Sequence, residues 1–232
     1  MVASESIIRP KPFKSFHGER VVYVPVDVPS GSIQKHLRKN SSFAKTTEWG
    51  TLFQLDDKTV LFQAMGAPLA VMTLERLIAG EAKEIYLLGF CGSLDPRLKI
   101  GTAVSLDKAL AEEGTSRHYA PRKKYFMASP DLRRSIEKKL TSGRLPFVRA
   151  AGVTTDAPFR ETPAWLRSMR RRGCDTVDME ASAVFALAGY RRVQAGALLV
   201  VSDELFSEKW QHGFFGAGLE DKVKEYFFPF LS

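Results

Sequence analysis

The segment Glu84 to Phe90 is apolar almost from end to end and runs straight into Gly89-Phe90-Cys91-Gly92-Ser93. An apolar run with no polar alternation reads as a parallel strand buried on both faces, so the chain must supply helices to cover both sides of a sheet. The glycines at its end allow something to approach the backbone closely. Ala195 to Ser202 is more apolar still and repeats the requirement.

Further strands are expected at Arg20 to Val26, Thr102 to Leu110 and Pro146 to Thr154. Gly50 to Leu55 and Thr59 to Ala64, with Asp56-Asp57 between them, read as a hairpin. Helical spacing places helices from Pro68 to Gly80, over Pro130 to Thr141, Pro163 to Arg172, Met179 to Tyr190 and Gly218 to Phe228. Strands alternating with helices predict an α/β protein with a mostly parallel sheet. The 232 residues, 44% of them hydrophobic, suffice for one large core. The reading is an N-terminal arm over 1–19 and a single domain over 20–232.

Apolar runs such as Ala197 to Val201 fall far short of the roughly 20 residues of a membrane span, and Met1 to Pro12 lacks the apolar centre of a secretory signal. A cytoplasmic location and no membrane partner are expected. Cys91 and Cys174 lie too far apart in sequence for a redox or metal motif. Thirty-four Lys and Arg against 26 Asp and Glu leave a net charge of +8. Much of that excess sits in runs such as Arg170-Arg171-Arg172, which read as solvated faces rather than as a nucleic-acid site.

Asp178-Met179-Glu180 sits at a strand-to-helix junction, and Ser202-Asp203 ends the next strand. Ligands of α/β sheets bind at the carboxyl ends of strands, so these acids can share a pocket. Equally, Asp178 and Glu180 can cap the helix that follows.

Leu88 to Ser93, Glu113 to Tyr119, Thr154 to Ala157, Val177 to Ala183 and Val201 to Asp203 together resemble, in order, the nucleoside phosphorylase family of purine nucleoside phosphorylase, uridine phosphorylase and the methylthioadenosine nucleosidases. The resemblance implies a three-layer αβα sandwich around a mixed, partly barrel-like sheet, assembly into a homo-oligomer (dimer, trimer or hexamer), a small-molecule nucleoside as partner, and no metal or organic cofactor. It also implies that Glu180 binds the ribose hydroxyls and that Met179 and Met65 lie against the sugar. Asp203 matches the acid that supports a proton on N7 of a departing purine, and Phe159 falls in the segment that lines the base pocket. The uracil-binding Gln and Arg of the pyrimidine branch are replaced by Thr162 and Ala164, which favours a purine.

The phosphate signature of the family is altered. Val26-Asp27-Val28-Pro29-Ser30 stands in place of its Gly-Asp-Pro-x-Arg segment, Leu87 in place of an arginine, and Phe90 in place of a Ser or Thr. A dianion needs charged donors and close backbone approach, which phenylalanine does not supply. Gly66, Phe90 and Gly92 remain the nucleophile-site candidates, with Lys35, Arg38 or Lys45 as substitute cations. With water as nucleophile, Asp27 is the candidate base; as a loop acid beside proline it can equally bind backbone amides. The expected function is cleavage of a nucleoside N-glycosidic bond, by phosphate as co-substrate or by water. A uridine phosphorylase-like activity and a non-catalytic nucleoside-binding protein are the alternatives.

Overall fold

The computed structural model describes residues 6–232. Strand β1 (Arg20–Val24) and helix α1 (Ser32–Asn40) lead into a meander of β2 (Phe43–Thr47), β3 (Gly50–Gln54) and β4 (Lys58–Phe62). Helix α2 (Ala67–Ile78) crosses to β5 (Glu84–Ser93), followed by β6 (Ala103–Glu112), the short α3 (Ser116–Tyr119), β7 (Tyr125–Met127) and α4 (Pro130–Ser142). The remainder alternates β8 (Val148–Thr155), α5 (Pro163–Arg171), β9 (Thr176–Asp178), α6 (Ala181–Arg191), β10 (Gln194–Glu204), β11 (Gln211–His212) and α7 (Ala217–Leu231).

Successive side chains of a strand point to opposite faces, and here both faces are apolar. Val21 and Tyr23 of β1 join one core cluster, while Val22 and Val24 join a second. Likewise Ala197, Leu199 and Val201 of β10 pack with the first, and Leu198 and Val200 with the second. Leu74 of α2 and Val184 and Leu187 of α6 complete the first layer. Leu37 of α1, Ile136 of α4 and Phe227 of α7 complete the second. This is the expected αβα sandwich.

The sheet has eleven strands and mixed directions. β10 runs parallel to β5 and antiparallel to β6, while β6–β8–β9–β5 pairings close the circuit. Five strands thus form a closed, barrel-like ring, with β1 and β4 extending parallel from β5.

The hairpin forms as expected, β3 pairing antiparallel with β4 around Asp56-Asp57. Several boundaries differ from the sequence reading by a few residues, and two of these differences shape the site. β5 does not turn away at its glycines but continues to Ser93, because β9 and β10 flank Gly92 on both sides. Helix α6 begins at Ala181 rather than Met179, since Glu180 has φ −137°, outside the helical region. β2, whose residues are largely exposed, carried no apolar signal. Within the expected arm, residues 1–5 lie outside the described residues, and Phe13 and Phe16 are buried in the first cluster. Among the described residues no helix is long and apolar enough to cross a membrane.

Candidate active site

A cavity of about 460 Å³ opens where β5, β9 and β10 end. Its wall brings together Met65, Phe90, Gly92, Phe159, Met179, Glu180 and Asp203, seven of the residues singled out from sequence. Gly66 borders it through a hydrogen bond to Glu180.

The two acids of the Asp178-Met179-Glu180 junction divide their work. Asp178 Oδ1 accepts from the Glu180 and Ala181 amides at 2.8 and 2.7 Å and from the Thr154 hydroxyl at 3.0 Å. It caps α6, as an acid before a helix should. Glu180 makes no side-chain cap; its Oε1 instead accepts the Gly66 amide at 2.7 Å. Burial, reinforced by the Asp178 charge, pushes the Glu180 carboxyl up to about 8. Burial likewise lifts Asp178 to about 6, against the stabilising pull of its hydrogen bonds.

Gly66 has φ 90°, a left-handed conformation that a side chain would strain. The turn is pinned from below: the buried Tyr23 hydroxyl donates to the Ala64 carbonyl at 2.6 Å. Behind Asp178, a buried network joins three of the motifs. The Ser182 amide donates to Thr154 Oγ1 at 2.9 Å, and the Ser182 hydroxyl donates to Glu113, also at 2.9 Å. Glu113 further accepts the Ser116 amide at 3.0 Å, so the Glu113 to Tyr119 motif serves to brace the site. His118, in the same motif, is exposed and does not line the cavity.

Asp203 is aimed by a bulge. The register between β10 and β5 shifts between Val201 and Asp203, leaving Ser202 as an extra residue that re-aims the strand end. Asp203 Oδ1 accepts the Ser202 hydroxyl at 2.7 Å and Oδ2 accepts the Trp210 indole N–H at 2.9 Å. Gly92 leaves room beside it: a Cβ there would lie 2.6 Å from Leu205 Cδ1, 3.0 Å from Val177 Cγ1 and 3.2 Å from Asp203 Oδ2, so these side chains would have to shift.

The Phe90 end of the cavity is apolar and carries no cationic side chain among the described lining residues. Phe90 packs its ring edge-on to Phe214 at 5.1 Å between centroids and lies 5.8 Å from Phe227, filling that wall with aromatic surface. Asp27 does not line the cavity. Its carboxylate accepts the Ile33 and Gln34 amides at 3.1 and 3.0 Å and so holds the start of α1. Lys35 donates to the Ser30 carbonyl, and neither it, Arg38 nor Lys45 reaches the cavity wall. Among the described lining residues there are four acids, Glu161, Asp178, Glu180 and Asp203, and no Lys, Arg or His.

Trp210, Phe214, Tyr23 and Glu161 escaped the sequence reading. Each lies outside the quoted motifs, and only the fold brings them to this edge. Trp210 alone carried a signal, as a tryptophan seven residues past Asp203 in a stretch with no helical spacing.

The cavity thus sets the Glu180 and Asp203 carboxyls against an apolar and partly aromatic wall. A family model described as the phosphorylase superfamily matches residues 44–226. An uncharacterized protein of Acanthamoeba polyphaga mimivirus is 30% identical over 157 residues, covering 66% of this chain and 60% of that protein. Guanosine phosphorylase of Halorubrum lacusprofundi is 27% identical over 171 residues, covering 73% of this chain and 68% of that protein. The matched stretch therefore spans only about three-fifths to two-thirds of these relatives. The structure of purine nucleoside phosphorylase from Toxoplasma gondii in complex with immucillin-H superposes with a TM-score of 0.75 at 22% identity, covering 95% of each chain, and shares the fold. With more than half its length matched by the family model, the chain belongs to the phosphorylase superfamily.

Proposed function

We propose that this protein cleaves the N-glycosidic bond of a purine nucleoside, with water as the nucleophile. The observation that carries the reading is the composition of one cavity wall: Glu180, at the start of α6, and Asp203, near the end of β10, with no cationic side chain among the described lining residues.

As the bond to the base stretches, positive charge develops at the anomeric carbon and negative charge on the base. Glu180, once ionised, accepts the ribose hydroxyls and stabilises the sugar as charge builds. Its Gly66 partner keeps the carboxyl fixed while this happens. The departing purine takes a proton at N7, and Asp203, aimed by the Ser202 bulge, is the group that holds it there. Water adds its oxygen to the anomeric carbon as the bond to the base nitrogen breaks, and the proton it releases balances the one the base takes up, leaving free ribose and free base. A phosphate dianion would meet four acids and the Phe90 ring instead of donors.

A pyrimidine is disfavoured because Thr162 and Ala164 stand where a uracil clamp is expected. Retention of both Glu180 and Asp203 argues for a working enzyme over a binding protein. A second reading, phosphorolysis in a homo-oligomer, draws on the apolar rim: Met65 is 56% exposed and Phe159 96%. A second copy seated there would cover these side chains and could bring a cation. The test is chromatographic release of free base from inosine, guanosine, adenosine and uridine, with and without phosphate. Purine release that is equal in both buffers supports hydrolysis, and strict phosphate dependence supports the second reading. Preferential release of uracil would overturn the purine assignment.

A further inference from the structure

At the sheet edge opposite the active-site cavity, β1, β4 and β5 run parallel and start side by side, and in register there Arg20 stands between Lys58 and Glu84. Helix α4 brings Ser135 and Lys139, one turn apart, to the same edge, and Phe230 of α7 completes the wall. The result is a pocket of about 150 Å³ whose charge is the reverse of the active-site cavity's. Arg20, Lys58 and Lys139 line it, and its described lining residues include no acid.

Asp57 and Glu84 lie outside that wall and take two of the three cations. Arg20 pairs with Asp57 at 3.3 Å and with Glu84 at 3.2 Å, and Lys58 pairs with Asp57 at 3.2 Å. Lys58 also donates to the Ser232 carbonyl at 2.6 Å. Lys139 is left over: among the described residues its ammonium has no carboxylate partner and sits 4.8 Å from the centre of the Phe230 ring. Desolvation, reinforced by the Lys58 charge against the pull of Asp57, lowers that ammonium from its ordinary value. Like charges gathered at a partly desolvated surface repel one another until an anion joins them.

The three cations come from β1, β4 and α4, so an anion between them must accept donors from different directions. A carboxylate offers two oxygens in one plane and suits a single planar fork. A phosphate group carries about two charges and three strong acceptor oxygens around one centre, and it takes lysine ammonium groups as point charges. The Ser135 hydroxyl adds a neutral donor to the wall, and the Phe230 and Tyr86 rings add an apolar side.

We infer that this pocket is a phosphate-binding site, holding a phosphate group, free or esterified, through Lys139, Lys58 and Arg20. It is separate from the cavity of Glu180 and Asp203 and stands whether or not the protein cleaves nucleosides.

The test is calorimetric titration of inorganic phosphate and of phenyl phosphate into the protein at constant ionic strength. The wild type should bind phosphate, and Lys139→Ala should weaken the affinity by about 10–100-fold through loss of one charged hydrogen bond. Lys139→Arg keeps a charged donor and should retain most of the affinity. Lys138→Ala, which alters an exposed lysine of the same helix outside the pocket, and Glu180→Gln, in the other cavity, should both match the wild type. Phosphate should also raise the Tm of the wild type but not that of Lys139→Ala. Tighter binding of inorganic phosphate identifies the free ion as the ligand, whereas tighter binding of phenyl phosphate identifies an ester resting on the Phe230 and Tyr86 rings; either supports the inference. Absence of binding by both compounds, equal losses in Lys138→Ala and Lys139→Ala, or a loss in Glu180→Gln with none in Lys139→Ala would overturn it.

Discussion

Trp210 donates its indole N–H to Asp203 Oδ2 at 2.9 Å while remaining 67% exposed at the cavity mouth. The tryptophan thus both orients the acid and offers a ring face to whatever enters. On the proposed function a bound base covers that face, so ligand should change the emission of Trp210 more than that of Trp49 or Trp165, which pack in separate clusters. In Trp210→Phe the guanosine-induced fluorescence change should largely vanish and kcat/KM should fall by about tenfold through loss of one donor to a charged group. An undiminished fluorescence response in the variant would place the base elsewhere.

Asp203→Asn keeps the shape and an acceptor for Trp210 but removes the charge that, in the proposed reaction, holds a proton at N7. Steady-state kinetics with guanosine should show kcat reduced by about 10²–10⁴-fold with KM changed only a few-fold. Loss confined to KM would make Asp203 a binding residue only.

Glu180 gives a dependence on pH of defined sign. Its carboxyl rises from 4.5 in the unfolded chain to about 8 in the folded protein. Between those values the folded state binds more protons than the unfolded one, so this group's contribution to stability falls as pH rises, by at most about 1.4 kcal/mol per unit. Glu180→Gln removes the effect, and its Tm relative to wild type should climb from pH 5 to pH 8. Riboside affinity of the wild type should increase over pH 6 to 8, as the carboxylate that accepts two hydroxyls becomes populated, and the variant should bind weakly throughout. Parallel Tm profiles for the two proteins would contradict this account.

Gly92→Ala tests the packing around Asp203. The added methyl meets Leu205, Val177 and Asp203 at once, so the variant should lose about 1–3 kcal/mol of stability by thermal unfolding. Its residual folded fraction should have lower kcat, because Asp203 must shift. Wild-type stability and kcat would show that the wall yields more easily than its contacts indicate.

Much of the fold was legible because its signals are local. Apolar runs such as Ala195 to Ser202 announce buried strands whatever surrounds them. The barrel-like closure depends on β10 pairing with both β5 and β6, a long-range choice that no local pattern contains. Asp178 and Glu180 show the same limit within the site. Spacing allowed both to cap a helix or both to face a pocket; in the structure both line the cavity, but only Asp178 caps α6, while Gly66, distant in sequence, reaches Glu180. Asp27 follows its backbone-amide reading in position, holding the α1 amides rather than reaching the cavity. Glu161 became visible only through the cavity wall it lines.

The most direct test of the central claim is identification of the sugar product after incubation of the purified protein with guanosine in phosphate buffer. The account predicts free guanine and free ribose in equal amounts. Ribose 1-phosphate would contradict water as the nucleophile, and intact guanosine, with inosine and adenosine also unchanged, would contradict N-glycosidic cleavage itself.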